Sequence, residues 1–187
     1  MANHVYTHIE INFASEQDTN RFAEWLAFEP KPAELIGFWQ HMETCRNCLF
    51  DSLYDDAEDT YSWYIDNVGA KWLTIDNIDR DDTTIYIDWT TAWSFADGLF
   101  YKLTQYLQNE YPGFEMRVTY EDESFCFIGA AASNQNNYDI EEYDPQEERE
   151  NPDYLDEDEM LNDLFYEDMN TKKYEILEEL FKSIKSE

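Results

Sequence analysis

Between His4 and Phe13 the chain alternates strictly. Val5, Thr7, Ile9, Ile11 and Phe13 fall on one side, and His4, Tyr6, His8, Glu10 and Asn12 on the other. That period of two predicts a half-buried β-strand. Ser15-Glu16-Gln17-Asp18 then reads as a helix start of the capping-box type, with Phe22, Trp25 and Leu26 as the buried stripe and Pro30 and Pro32 as the stop. Residues 33–68 are less regular. A helical patch from Ala33 to Met42 precedes an acidic loop from Asp51 to Asp59.

Two strands are predicted near 70–77 and 83–91, joined by the turn-like Asp79-Arg80-Asp81-Asp82, with Ile85, Ile87 and Trp89 sharing a face. Ser94-Phe95-Ala96-Asp97 opens a second helix, in which Phe95, Leu99, Leu103, Tyr106 and Leu107 recur at helical spacing until Pro112-Gly113 stops it. Phe114, Met116, Val118 and Tyr120 alternate as a further strand, and Phe125 and Phe127 as another after a short acidic turn. Strands interleaved with two helices predict an α+β fold: a ferredoxin-like βαββαβ(β) antiparallel sheet with two packed helices. It spans residues 1–137, with an insert at about 30–68.

After Asn137 the pattern changes. Residues 138–153 are acidic and turn-forming, with Pro145 and Pro152, and Leu155–Asp168 reads as an acidic helix with Leu161, Leu164 and Phe165 turned inward. From Thr171, Tyr174, Leu177, Leu180, Phe181 and Ile184 mark an amphipathic terminal helix that requires a docking surface. Residues 138–187 are therefore expected to form an acidic extension, tied down by that helix.

Charge changes the picture most. The chain of 187 residues carries 43 Asp and Glu against 12 Lys and Arg, a formal net of −31. Residues 1–137 hold −17 of it, residues 138–169 hold −14, and residues 170–187 are neutral. Self-repulsion of this size opposes compaction, so folding is not its purpose. With 43% hydrophobic and 17% aromatic residues the chain can still build a core, which sets it apart from disordered acidic chains. Abundant large apolar residues and acid concentrated in blocks also argue against adaptation to saturated salt. The start MANHVYTHIE lacks the features of a signal peptide and no long apolar run follows, so the cytoplasm is the expected compartment.

Candidate chemistry is sparse. His41, Cys45 and Cys48 have metal-like spacing, but a closed zinc site needs a fourth ligand, for which Cys126, His4, His8 or a carboxylate are the candidates. A single Cys-x-x-Cys also fits two half-buried residues at a helix end. His4 and His8 share a strand face on which polar residues are expected in any case. No phosphate-binding loop, dinucleotide fingerprint or nucleophile elbow is present, so neither an enzyme nor a cofactor is expected. Trp89, Tyr86 and Tyr120 resemble base-stacking platforms. Direct nucleic-acid binding, however, requires a basic surface, and residues 1–137 contain seven Lys and Arg.

Tyr61-Ser62-Trp63-Tyr64-Ile65-Asp66-Asn67-Val68-Gly69-Ala70-Lys71-Trp72 resembles a segment of the YubB-like ferredoxin-fold family of phages and conjugative plasmids. Thr91-Ala92-Trp93-Ser94 is similar to that family's strand-to-helix corner, and Tyr120-Glu121 with Phe127 and Gly129 to its hairpin, although Glu123 or Ser124 stands where the family has a glycine. The resemblance covers about residues 60–132. It implies a ferredoxin-like fold and a mobile-element origin, hence a host cytoplasm, and it brings no catalytic residues.

The acid itself remains. Duplex DNA carries one charge per roughly 1.7 Å of axis and is bound largely through counterion release. Glu159, Asp163 and Glu167 lie four residues apart, about 6 Å of helical rise per step, comparable to the spacing of phosphates along a strand. Asp153, Asp156, Glu157, Asp158 and Asp168 thicken this track. Asp55-Asp56-Glu58-Asp59, Asp79-Asp81-Asp82 and Glu121-Asp122-Glu123 would extend it. The expected function is a DNA mimic that occludes a basic nucleic-acid-binding host protein of a defence system. The alternatives are an interaction module using the aromatic sheet face or the terminal helix, with the acid merely solvating, and a zinc protein centred on His41, Cys45 and Cys48.

Overall fold

A computed structural model describes residues 3–27, 65–66, 68–155 and 161–186. The expected insert helix and its acidic loop lie outside the described residues. The strands are β1 (His4–Asn12), β2 (Leu73–Asp81), β3 (Thr84–Ala92), β4 (Glu115–Asp122), β5 (Ile128–Asn134) and β6 (Tyr138–Tyr143). The helices are α1 (Glu16–Ala27), α2 (Asp97–Glu110), the short α3 (Gln146–Arg149) and α4 (Asp163–Ser186), with a 3-10 turn at Pro152–Tyr154. The fold is α+β. Among the described residues six strands form one sheet in the order β2-β3-β1-β4-β5-β6, and every neighbouring pair is antiparallel.

β1 lies at the centre because its alternation supplies two different faces. Val5, Ile9 and Ile11 are buried with Ile85, Ile87 and Trp89 of β3 and Met116, Val118 and Tyr120 of β4. Phe22 of α1 and Leu99, Phe100, Leu103 and Leu107 of α2 close this core. Aromatic packing seals its end: Phe13 and Phe22 lie 5.2 Å apart and both meet Tyr111, over whose ring the Arg21 guanidinium sits at 4.3 Å.

The opposite face is covered over only half its width. Ile176, Leu177, Leu180, Phe181 and Ile184 of α4 pack on Ala130 and Ala132 of β5, and Phe165 and Met169 pack with Ile128. β5 is a small-residue strand (Gly129, Ala130, Ala131, Ala132) because bulk approaches it from both sides. A Cβ at Gly129 would lie 2.3 Å from Tyr120 Cζ and 2.6 Å from the Glu141 carbonyl oxygen.

Several expectations are corrected. Asp79, Arg80 and Asp81 belong to β2, paired with Tyr86, Ile85 and Thr84, and the turn falls at Asp82-Thr83. An exposed edge strand tolerates such polar residues. Ser94 does not cap α2: its hydroxyl donates to the Gly69 carbonyl at 2.8 Å, and the helix begins at Asp97. Phe125 and Phe127 form no strand; Phe125 has φ 53° and packs toward Phe165 and Tyr166. The expected boundary at 137/138 falls inside the β5–β6 hairpin, and β6 is part of the sheet. Its acidic composition imitates a linker because it is an edge strand whose Asp139, Glu141 and Glu142 are exposed. The separate acidic helix and terminal helix are one 24-residue helix preceded by a Leu155–Leu161 bridge, and Leu164, expected inside, is exposed.

Replacing Gly129 with alanine is expected to destabilise the fold by about 2 kcal/mol, since Tyr120 and the β6 backbone must both move. Urea denaturation that returns the wild-type midpoint would refute this account of β5.

Candidate functional site

The arrangement of charge follows from how α4 is held. β4 presents Glu115, Arg117 and Glu121 on the face that α4 covers. Lys185 Nζ lies 2.7 Å from Glu115, Arg117 Nη1 lies 2.7 Å from Glu178, and Lys173 pairs with Glu121. Glu115 to Glu121 spans about 20 Å of strand, and Lys185 to Lys173 about 18 Å of helix. The two rulers match, so the three pairs form in one antiparallel register. Arg117 and Lys185 also sit 4.0 and 4.2 Å from the Phe181 ring, which they hold between them.

Several other described cations are similarly engaged within the molecule, whereas Lys182 is exposed on α4. Arg149 donates to the carbonyls of Ser124 and Phe125, fastening the loop after β4. Lys172 lies over Tyr143, Lys71 over Trp93, and Arg80 donates to Asn20. The acids, by contrast, face outward: among the described residues Asp122 is the one buried carboxylate.

On α4 the solvent-facing row Asp163, Glu167, Thr171, Glu175 and Glu179 steps by four residues along about 24 Å. Exposed Tyr166 and Tyr174 stand in the adjacent row. Asp139 and Glu141 on one face of β6, Glu142 on the other, and Asp144, Glu147, Glu150 and Asp153 after it are also exposed. Burial first, and then the Asp144 carboxylate, hold Glu142 above the usual carboxylate range.

The nominated residues separate accordingly. Asp163 and Glu167 stand on the α4 row, and Asp153 is exposed in the 3-10 turn at Pro152–Tyr154. Half-buried Asp168 accepts from the Tyr154 hydroxyl at 2.7 Å. Asp79, Asp81 and Asp82 are exposed together at the tip of the β2–β3 hairpin. The Glu121-Asp122-Glu123 cluster is dispersed: Glu121 pairs with Lys173 and Glu123 lies 2.8 Å from His4 Nδ1. Asp122, 1% exposed, accepts the backbone N–H groups of Ser124 and Cys126, so it shapes a turn and adds nothing to the surface.

Asp55, Asp56, Glu58, Asp59, Asp156, Glu157, Asp158 and Glu159 lie outside the described residues, as do His41, Cys45 and Cys48. Among the described residues no group of His, Cys, Asp and Glu could hold a metal ion. Cys126 is exposed, and burial followed by Asp122 raises its thiol. Trp89 and Tyr120 are core residues, whereas Tyr86 is on the uncovered half-face.

Sequence reasoning missed Glu175 and Glu179, because the neutral count of residues 170–187 hid the fact that Lys173 and Lys185 pair with the sheet while these glutamates face solvent. It also missed Asp139, Glu141 and Glu142, assigned to a linker. The signal was present in β6: Tyr138, Ile140 and Glu142 alternate with Asp139, Glu141 and Tyr143.

Two outcomes test this electrostatic picture. Exposed ion pairs contribute at most about 1 kcal/mol each, so repulsion among the remaining acids outweighs them. Raising NaCl from about 0.02 to 0.5 M should then raise the melting midpoint by about 5 °C; a fall would mean that the α4 pairs dominate. Tyr143 supplies the second. Its hydrogen bond to Glu148, then burial and the surrounding carboxylates, push it up to about 12. The folded form thus keeps a proton that the unfolded chain loses near pH 10, so this contribution to stability fades as pH rises from about 10 through about 12. Difference titration against Tyr143→Phe should place the midpoint in that window, and Glu148→Gln should lower it.

No helix among the described residues is long and apolar enough to cross a membrane. Comparison with protein-family models, with curated proteins and with solved structures finds no match.

Proposed function

We propose that this chain is an inhibitor that mimics DNA and occludes the basic nucleic-acid-binding surface of a host defence protein, such as a restriction enzyme, a CRISPR effector or a related nuclease. The observation that carries the reading is the outer face of α4: a row of carboxylates along a rigid helix whose own lysines include two turned inward onto the sheet. A surface acid without a nearby cation is available to a partner's Lys and Arg, as a phosphate is. Carboxylates fixed on a docked helix also offer that partner a charge array with little left to order. The interleaved tyrosines add contact area of the kind protein interfaces favour.

Within this proposal the fold is ferredoxin-like, with β2-β3-β1-β4, α1 and α2 as its core and β5, β6 and α4 as an elaboration. The strand order and the placement of both helices on one face support that assignment. The kinship with the YubB-like family of phages and plasmids is likewise proposed. It is supported by Gly69 at φ 87° and by the Trp93 corner between β3 and α2, where the backbone takes φ 72°. No catalysis is proposed, and the site of action is the host cytoplasm.

Mechanistically, negative potential steers the encounter and occlusion follows from occupying the groove in which DNA would lie. Reversing Asp163, Glu167, Glu175 and Glu179 to lysine should weaken capture of the target from host lysate by about a hundredfold. Binding of the wild type should fall steeply with salt and exclude DNA from the target. Capture that is indifferent to salt and to the four reversals would eliminate the mimicry reading.

A further inference from the structure

α4 covers the β4–β6 half of the second sheet face and leaves the β1, β3 and β2 half open. Open sheet faces of soluble proteins are normally polar, but this one carries aromatic rings among its acids. Tyr6 is 48% exposed, and the His8 ring stacks on Tyr86 with centroids 6.1 Å apart. Where the open half meets α4, a groove of about 160 Å³ is lined by Tyr6, His8, Asp76, Asp88, Glu121 and Lys173.

The carboxylates of this groove are held in place by neighbours. Asp88 takes His8 Nδ1 at 2.6 Å on one oxygen and Asn77 Nδ2 at 3.4 Å on the other. Asp76 occupies the irregularity in β2 where the register with β3 shifts, and it accepts from Thr90 at 2.5 Å. Lys173, the groove's lysine, is paired to Glu121. Asp76 and Asp88 are thus oriented by Thr, Asn and His, and Tyr6, whose ring stacks with His4, lines the same groove.

That chemistry selects among cations. An ammonium is strongly hydrated and point-like, whereas a guanidinium is planar, weakly hydrated, stacks on aromatic faces and bridges carboxylates with several N–H groups at once. We infer that this groove receives an arginine side chain of the basic protein partner, with the guanidinium between Asp76 and Asp88 and against Tyr6. The inference rests on the reading above that the partner is basic. It adds a second, arginine-selective contact beside the charge row of α4.

The probes are two twelve-residue peptides in a glycine–serine background, one with four arginines and one with four lysines, titrated calorimetrically into the full chain at about 0.15 M salt. The wild type should bind the arginine peptide about tenfold more tightly. Tyr6→Ala and the isosteric Asp88→Asn should each abolish that preference, with unchanged melting midpoints confirming that the variants fold. The variant reversed at Asp163, Glu167, Glu175 and Glu179 should lose affinity for both peptides while keeping the ratio. Equal wild-type affinities, or a preference that survives both groove variants, would overturn the inference. If the α4 variant alone then loses capture of the host target, mimicry stands without the groove; if neither variant class affects capture, both readings fall.

Discussion

The arrangement of charge on the described residues depends on a shortage of cations. Twelve Lys and Arg face 43 acids, so most carboxylates have no partner available and the location of the few bases becomes decisive. The fold places three of them along the seam between β4 and α4, where a strand of about 20 Å and a helical stretch of about 18 Å bring Glu115, Arg117 and Glu121 opposite Lys185, Glu178 and Lys173. Apolar burial by Ile176, Leu177, Leu180, Phe181 and Ile184 supplies the driving force for docking. The ion pairs fix direction and register, a role in which modest energies suffice because the wrong register would bring like charges together. Lys173 is the most enclosed of these cations, and breaking its pair would strand Glu121 in a partly buried position.

One consequence is a helix with two unlike faces. The inner face of α4 is apolar with Lys173 among its buried residues, and the outer face is mainly acidic, with tyrosines and the exposed Lys182. A net charge of zero over residues 170–187 therefore describes neither surface that a partner or the sheet encounters. Docking α4 buries Lys173 and pairs Lys185 with Glu115, while Asp163, Glu167, Glu175 and Glu179 stay in solvent. Charge sorting of this kind is costly for stability, since unscreened acids repel. That the chain retains it on a rigid element, when the same acids in a loop would relax apart, is the physical reason to connect the charge with recognition.

How much of this was legible in the sequence varies by element. β1, β3 and β4 were legible because buried and exposed residues alternate, and α2 because Leu99, Leu103 and Leu107 repeat at helical spacing. β5 was not: Gly129 and the three alanines carry no propensity for strand, and their smallness is intelligible only once Tyr120 lies on one side and α4 on the other. β6 was hidden by its acids, because an edge strand and a linker share a polar composition. The start of α2 misled because Ser94 has a tertiary partner in Gly69 that a local capping rule cannot anticipate. Among site residues, Asp163 and Glu167 were legible from spacing alone. Asp122 was not, since the sequence does not distinguish a carboxylate that binds its own turn from one that faces solvent.

The half-covered sheet joins these observations. Had α4 lain centrally, it would have hidden Tyr6, His8, Tyr86 and Asp88 along with β4. Its ion pairs to β4 and its packing on β5 hold it to one side, so the same interactions that turn carboxylates outward on the helix also leave the β1–β3 surface open beside them. On the proposed reading, a basic partner approaching from that side would meet two different environments along one front: a ridge of carboxylates that answers to charge, and a groove of aromatic rings and fixed carboxylates that answers to the shape of the cation. The first would favour rapid association with many basic surfaces. The second would discriminate among them by side-chain chemistry, which charge alone does not do.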